Sequence, residues 1–153
     1  MNKQEWIQQV NKYDQLANDM RMQLWENPEI AGEEKFASEL FRKVVAENGF
    51  KVTDVPGMPY AFVAEYGQGS PVIAIMGEYD ALPSSSQKAI AVKEEVTPGG
   101  NGHGCGHNIL GTASLAATLA VKDMIDANKM TGTIRFYGCP EEETLVGKVK
   151  MIK

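Results

Sequence analysis

The sequence predicts an α/β fold in which a mixed sheet carries helices on both faces. Two helical patterns come first, β-rich runs follow, and the chain then continues as strand, helix and strand. This order builds a layered α/β domain rather than a helix bundle or a β-sandwich. With 153 residues, of which 43% are hydrophobic, the chain is long enough for the core of one ordinary domain.

The N-terminal third is predicted to form two helices. Between Lys3 and Trp25 apolar residues recur at spacings of three and four, which places them on one face of an amphipathic helix. Asn27-Pro28 should end this helix, because proline cannot continue the hydrogen-bond ladder and disfavours helix at the preceding residue. A second helix is predicted from about Glu33 to Asn48, with an inward face of Phe36, Leu40, Phe41, Val44 and Val45.

Three strands are predicted next. Phe50 to Val55 is a short strand, and the β-rich runs Tyr60 to Tyr66 and Val72 to Met76, separated by a Gly- and Pro-containing turn, suggest a hairpin-like pair. The run from Val72 is apolar at every position, which is typical of a strand covered on both faces. It delivers Glu78 and Asp80 at its C-terminal end.

The rest of the chain is predicted to be a long loop, a helix and a last strand. The loop from Pro83 to Gly102 is rich in Ser, Gly and Pro, and loops of this length are usually functional or mobile. An Ala- and Leu-rich helix should run from Asn108 to Asn128, followed by a strand from Thr133 to Tyr137. In open sheets ligands bind at the carboxyl ends of strands, which is where Asp80 and the glutamates after Pro140 are expected.

Composition excludes several classes of function. The chain has 15 basic and 20 acidic residues, a net charge of -5 and no basic block, so nucleic acid is not expected as a partner. No apolar run approaches the roughly 20 residues of a membrane-spanning helix. Two cysteines without a CxxC pair and eight methionines favour a reducing compartment, and the cytoplasm is the expected location.

The stretch around Cys105 is the main candidate for chemistry. Both histidines of the chain, His103 and His107, and Cys105 lie within five consecutive positions. A thiolate and an imidazole are good zinc ligands, and the glycines at 102, 104 and 106 would let the backbone fold tightly around an ion. The alternatives are an incidental cysteine in a flexible loop, or a structural zinc site, which usually needs paired knuckles with four Cys or His ligands. Because no second knuckle exists, we favour a catalytic metal.

Acidic residues after two strands could complete such a site. Glu141, Glu142 and Glu143 follow Pro140; alone they would be a solvated turn, but near a metal one carboxylate can bind it while its neighbour takes a proton from water. Asp80 alone could be a turn former or a helix cap. Cys139 could be a metal ligand, but a small buried apolar filler is the favoured role. His103 could bind metal or substrate, or form a hydrogen bond within its loop.

Four segments together resemble a known family. In chain order they are the segments 27–34 (NPEIAGEE), 77–83 (GEYDALP), 102–108 (GHGCGHN) and 140–143 (PEEE). Their order is similar to that in metal-dependent amidohydrolases of the aminoacylase and carboxypeptidase type, which include hippurate hydrolase and the plant auxin-conjugate hydrolases. The Gly-Glu-Tyr-Asp and Cys-Gly-His-Asn variants resemble the p-aminobenzoyl-glutamate hydrolase branch.

The resemblance implies a fold, a metal centre and a reaction. The fold would be a three-layer αβα zinc-peptidase-like catalytic domain. Cys105 would bridge two divalent metals, zinc or manganese, with His107 and Glu143 as further ligands, Glu142 as the general base and Asp80 as an outer carboxylate that orients the centre. The substrate would be a small molecule with an amide bond, namely an N-acyl amino acid, aminobenzoyl-glutamate or a dipeptide-like compound, hydrolysed by a metal-activated water.

The chain also departs from the family pattern. Family members carry further metal-binding histidines downstream and an inserted lid or dimerisation domain, whereas no histidine follows His107 here, and Thr144-Leu145-Val146 replaces a glycine-rich run. We therefore expect residues 1–153 to be the truncated N-terminal part of a catalytic domain, with little activity alone, and the full-length protein to be a homodimer.

The alternative is a non-catalytic remnant that binds metal weakly or acts as an interaction module. A serine hydrolase that uses Ser84 to Ser86 is disfavoured, because no Gly-x-Ser-x-Gly elbow is present.

Overall fold

A computed structural model describes residues 3–152 as one mixed sheet with helices packed on it. The helices are α1 (Lys3–Asn11), α2 (Asp14–Glu26), α3 (Lys35–Glu47), α4 (His107–Asp126) and α5 (Gly147–Met151), and the strands are β1 (Lys51–Val55), β2 (Met58–Gln68), β3 (Val72–Glu78) and β4 (Gly132–Cys139). The strand order is β1-β2-β4-β3. β2 is antiparallel to β1 and β4, while β3 and β4 are parallel and joined through α4. The predicted mixed α/β sheet is confirmed.

The predicted hairpin between the second and third strands is wrong. β2 and β3 do not pair, because β4 lies between them. The short connection at residues 69–71 passes over the start of β4, where the Thr133 N–H donates to the Pro71 carbonyl at 2.8 Å. Gly132 permits this crossing, since a Cβ there would lie 2.4 Å from the Pro71 oxygen. A short linker between β-rich runs therefore indicated antiparallel direction correctly but not adjacency.

The prediction that the third strand is covered on both faces is also wrong for residues 3–152. β3 is an edge strand, and Val72, Ile73 and Met76 are 50%, 51% and 54% exposed. One of its faces packs on α4, and the other, which carries Met76, contributes to an open cleft of about 220 Å³ with Tyr137 and α5. A continuous apolar run thus identifies a strand without revealing which of its faces is covered.

The single helix predicted from Lys3 to Trp25 is interrupted. α1 ends at Asn11 and α2 begins at Asp14. The break turns Lys12 and Tyr13 towards α4, where the Lys12 ammonium lies 2.5 Å from Asp123. The apolar face continues across the break, so the periodicity remains informative about burial while missing the turn.

The main core lies between the sheet and helices α2, α3 and α4. Alternate residues of β2 and β4 point into it, as the two-residue period of a strand requires. Phe41 of α3 stacks on Tyr79 and Phe136, with ring centroids 5.3 and 5.8 Å apart. The fully or nearly fully buried members include Met20, Leu24, Phe41, Val45, Phe62, Leu115, Leu119 and Ile134. Of the described helices, α5 lies on the opposite face of the sheet.

The long segment between β3 and α4 contains no helix or strand, as predicted. The paired backbones of Leu82 and Gly102 close its base, with N–H to oxygen distances of 3.0 Å in both directions. Most of residues 83–100 are exposed. Within residues 3–152 no helix is both long and apolar enough to cross a membrane.

Candidate metal centre

The candidate site lies at the carboxyl ends of the parallel strands β3 and β4. β3 ends at Glu78 and is followed by Asp80, β4 ends at Cys139 and is followed by the glutamates, and α4 begins at His107 between them. Parallel neighbours joined by a helix end at the same edge of a sheet. The three segments that the sequence analysis singled out therefore meet in space.

At two of the three glycines near Cys105, the backbone geometry favours glycine over any residue with a side chain. Gly106 precedes α4 with φ +83°, a conformation that costs other residues strain. At Gly102 a Cβ would lie 2.0 Å from the Ser85 carbonyl oxygen, so only glycine permits this approach. Gly104 would place a Cβ at ordinary contact distances. The tight turn that presents Cys105 and His107 thus depends on its first and last glycines.

Asp80 holds the imidazole of His107. His107 Nδ1 lies 2.8 Å from Asp80 Oδ1, and both side chains are buried. Because a carboxylate only accepts hydrogen bonds, Nδ1–H is the donor. This bond and the nearby carboxylates raise the pKa of His107, with burial opposing. Burial would by itself raise the pKa of Asp80, but the hydrogen bonds from His107 and from the Glu143 N–H outweigh it, and the pKa is lowered.

Two sets of side chains around His107 have ligand atoms close enough to share an ion. Cys105, His107 and Glu143 form one set, and Glu78, His107 and Glu142 form the other, with the ligand atoms of each set within 4.8 Å of one another. The first set is the one named from the sequence. His107 belongs to both, so the two sets are adjacent.

The charges of the site suit cations. Cys105 is exposed, but partial desolvation of its sulfur and the neighbouring Glu143 raise the pKa of Cys105, so the thiol stays protonated without a positive partner. Glu143 Oε1 is buried and, among the residues described, has no hydrogen-bond partner. A thiol, an imidazole and several carboxylates are the donors that zinc and manganese bind. The residues present therefore fit a divalent metal.

Two backbone hydrogen bonds to buried carboxylates hold the turn that carries Glu142 and Glu143. The Glu143 N–H donates to Asp80 Oδ2 at 2.8 Å, and the Glu141 N–H donates to Glu34 Oε1 at 2.7 Å. The Glu142 carboxylate lies near the ring nitrogen of His107 that Asp80 does not contact: its Oε2 is 3.5 Å from His107 Nε2. Although no glycine follows the glutamates directly, Glu141 and Leu145 adopt φ of +59° and +61°. Non-glycine residues thus take up the positive φ angles of this turn.

Comparison with known proteins identifies the family. Residues 74–153 match the model of peptidase family M20/M25/M40, which is half of the chain. The chain belongs to this peptidase family. Its relatives include a subunit of the p-aminobenzoyl-glutamate hydrolase of Escherichia coli K12, 49% identical over 91% of the chain, and N-acetylcysteine deacetylase of Bacillus subtilis 168, 32% identical over 88%. The metal-dependent amidohydrolase family inferred from the four segments is confirmed.

Solved structures agree with the M20 fold. The Bacillus subtilis YXEP protein, described as a dinuclear metal-binding peptidase of the M20 family, matches with a TM-score of 0.77 and 30% identity over 93% of the chain. A Staphylococcus aureus protein described as an aminohydrolase matches with a TM-score of 0.78 at 22% identity and supports the fold alone. The chain spans about a third of the length of its relatives, 29% and 35% of the two enzymes named above and 39% of the YXEP chain.

Cys139 and His103, the two remaining candidate residues, differ in their surroundings. Cys139 is 1% exposed, and burial raises its pKa to about 12, which confirms a buried filler. His103 is 6% exposed, and neither ring nitrogen has a hydrogen-bond partner in the described part of the chain. Burial lowers its pKa to about 4. His103 belongs to neither ligand set, so its interpretation as a metal ligand has no geometric support.

Two residues at the candidate site, Glu78 and Glu34, were not among the site residues predicted from the sequence. Glu78 Oε2 lies 3.2 Å from His107 Nε2, and its other oxygen pairs with Lys148. Its spacing of two from Asp80 was the available signal, since residues two apart in an extended chain share a face. Glu34 lies in the first of the four family segments, but nothing in its spacing indicated a contact with a turn 107 residues away.

Proposed function

We propose that residues 1–153 are the N-terminal part of the catalytic domain of a metal-dependent amide hydrolase. The observation that carries the proposal is the position of His107. Its side chain belongs to both ligand sets, and Asp80 fixes its Nδ1 at the carboxyl ends of two parallel strands. Buried imidazoles held in this way by a carboxylate are typical of metal centres.

Two divalent ions, zinc or manganese, are the proposed cofactors. Cys105, His107 and Glu143 would hold metal. When bound, such ions supply Lewis acidity, which polarises a carbonyl group and makes water more acidic. The donation of Nδ1–H to Asp80 leaves the Nε2 lone pair of His107 free for coordination.

Glu142 is the proposed general base. Its carboxylate is partly exposed, with 28% of its side-chain surface accessible, and it lies on the side of His107 opposite to Asp80. There it can take the proton of an attacking water and deliver it to the leaving amine. Glu143, which precedes the turn's exposed tip, would remain a ligand. Asp80 would act through His107 rather than on the substrate.

The proposed substrate is an amide that joins an acyl group to an amino acid. The two relatives named above act, by their names, on p-aminobenzoyl-glutamate and N-acetylcysteine. Both compounds have this linkage, although their acyl groups and side chains differ. The substrate class is therefore an N-acyl amino acid, aminobenzoyl-glutamate or a dipeptide-like compound.

Metal content and turnover test this proposal. Purified residues 1–153 are expected to bind zinc or manganese, to lose it in Cys105→Ala and to retain it in the control Cys139→Ala. The chain alone should hydrolyse p-aminobenzoyl-glutamate and N-acetyl amino acids slowly or not at all, whereas the product of the full reading frame should be active. Turnover by residues 1–153 at a rate comparable with a full-length relative would contradict the prediction of an inactive part.

A non-catalytic role is the second proposal. The exposed apolar side chains of β3, including Val72, Ile73 and Met76, favour association with another surface. A chain that binds no metal at pH 7 but associates through this strand would support an interaction module and contradict the hydrolase.

We further propose that the full-length protein works in the cytoplasm and assembles as a homodimer. Cys105 and Cys139 are free, as expected in a reducing compartment. The Escherichia coli relative is named as a subunit, which agrees with assembly in general. Size measurement of the full-length protein would distinguish a homodimer from a complex with a different subunit.

A further inference from the structure

We propose that Glu34 is a positioning residue that holds the Glu141–Glu143 turn in the shape required to bind metal. The hydrogen bonds of the Glu34 carboxylate support its effect on the turn, and its effect on metal binding rests on the proposed function.

Both oxygens of Glu34 are committed to backbone N–H groups. Oε1 accepts from Glu141 at 2.7 Å, and Oε2 accepts from Gly32 at 2.9 Å. The residue is 0% exposed, which is rare for a glutamate. A buried carboxylate with two charge-assisted hydrogen bonds fixes its partners tightly. Glu34 therefore ties the loop before α3 to the turn after β4.

The turn needs such a restraint. Glu141 has φ +59°, a region that a residue with a side chain occupies only when its surroundings impose it. Glu142 and Glu143 follow directly, so a change at Glu141 would redirect both. The Glu143 N–H is held by Asp80 Oδ2 at 2.8 Å. Glu34 and Asp80 thus anchor the two ends of the three-residue segment.

A role of Glu34 in capping α3 does not explain these contacts. Glu34 precedes α3, but its side chain makes no capping hydrogen bond. The first free amides of the helix, those of Phe36 and Ala37, donate instead to Glu29, each at 2.9 Å. The chain therefore uses one glutamate for the helix and the other for the turn.

This division supplies a matched pair of variants. Glutamine has nearly the shape of glutamate but replaces one acceptor oxygen by an NH₂ donor. In Glu34→Gln the NH₂ group must face the N–H of Gly32 or Glu141, and in Glu29→Gln it must face an N–H of α3. Both variants lose one acceptor oxygen, which is buried in Glu34 and partly buried in Glu29, but only the first concerns the turn.

Hydrogen exchange of the metal-free chain, followed by mass spectrometry, tests the restraint. In Glu34→Gln the amides of residues 141–147 should exchange at least tenfold faster than in the wild-type chain and in Glu29→Gln, with residues 51–68 as an internal reference. Equal exchange at 141–147 in the two variants would overturn the proposal. If Glu34→Gln does not fold, the same comparison is made between Glu141→Gly and Glu34→Gln/Glu141→Gly, because glycine adopts positive φ without strain.

Calorimetric titration with zinc tests the consequence for metal binding. Glu34→Gln should bind zinc at least tenfold more weakly than Glu29→Gln. Equal affinities would overturn the functional part of the proposal. A wild-type chain that binds no zinc would contradict the proposed metal centre, whereas the exchange experiment would still decide whether Glu34 holds the turn.

Discussion

At the scale of single residues, His107 concentrates the chemistry of the site. Oxygens of four carboxylates lie 2.8 to 3.7 Å from its ring nitrogens, those of Glu78, Asp80, Glu142 and Glu143. The hydrogen bond to Asp80 and the other surrounding carboxylates favour the protonated imidazole, which is why the pKa of His107 is raised. A divalent ion would replace that proton, so binding of metal and of protons should compete.

Asp80→Asn should weaken metal binding. Asparagine cannot offer a charged acceptor to both the His107 ring and the Glu143 N–H, so the ligands lose orientation. Loss of such a partner typically costs about 10- to 100-fold in metal affinity, and calorimetric titration with zinc would measure it. Asp54→Asn is the control, because Asp54 pairs with Arg42 and is 86% exposed; an equal loss in both variants would contradict the role of Asp80.

The stability of the metal-free chain should depend on pH through the same pair. The raised pKa of His107 means that its contribution is complete below its ordinary value of 6.5 and is lost as the pH rises through the raised pKa. The lowered pKa of Asp80 means that its contribution is complete above the ordinary value of 3.8 and is lost as the pH falls through the lowered pKa. Urea unfolding of the wild-type chain and Asp80→Asn in chelator should therefore differ most between these limits. A difference that is constant with pH would contradict this origin.

At the scale of secondary structure, the close packing of α4 on β3 sets the position of the site. Gly111 in the second turn of α4 lies against the end of β3, where a Cβ would come within 2.3 Å of the Glu78 carbonyl oxygen and 3.0 Å of the Phe41 ring. The helix can approach the strand this closely only because the side chain is absent. The approach brings His107 within reach of Glu78 and Asp80.

Gly111→Ala should destabilise the chain and move α4 away from β3. Overpacking of a filled interior typically costs about 1–3 kcal/mol, and here the contact is with backbone, which cannot rotate away. Urea unfolding would give the loss. The control is Gly104→Ala, whose Cβ would meet its neighbours at 3.4 Å or more and should change stability by less than about 0.5 kcal/mol. Similar losses in the two variants would contradict the packing explanation.

Helix and strand positions could be predicted from the sequence where interactions between neighbouring residues determine them. The proline at 28 ends α2 within two residues of the expected position, and the Ala-rich pattern locates α4 within two residues at each end. The turn at Lys12 and Tyr13 depends on contacts with Asp123, which are distant in sequence. The order of strands depends on the insertion of β4 between β2 and β3, which no local pattern can reveal.

At the scale of the whole molecule, the uncovered side of β3 is the largest departure from an ordinary domain. Of the described residues, those of α5 and β4 cover the Met76 face only in part. Ile152, which lines this cleft, is itself 84% exposed. Adjacent apolar groups of this kind favour association with a further surface.

Met76→Lys should reduce self-association of residues 1–153. Sedimentation velocity at increasing concentration is expected to show oligomers for the wild-type chain and fewer for the variant. The control is Ile7→Lys, since Ile7 is also exposed, at 42%, but lies on α1 away from this cleft. If both substitutions act alike, or if the wild-type chain stays monomeric, the cleft is not an association surface.

The candidate site was more predictable than the sheet, for a physical reason. Cys105, His107 and the glutamates lie in short segments that carry chemistry and tight turns, and both leave local signals in sequence. Glu78 and Glu34 act through contacts between segments far apart in the chain. Their carboxylates resemble any solvated glutamate until the fold is known.

The central position of β4 has a consequence for the order of folding. β4 follows the other described strands along the chain, yet it supplies partners to both β2 and β3. The β1-β2 hairpin can form early because its contacts are local, whereas β3 has no described strand to pair with until β4 has been synthesised. Insertion of β4 also brings the glutamate turn to Glu34, Asp80 and His107. Pairing of β3 and assembly of these metal ligands should therefore be one cooperative event, which follows the synthesis of β4.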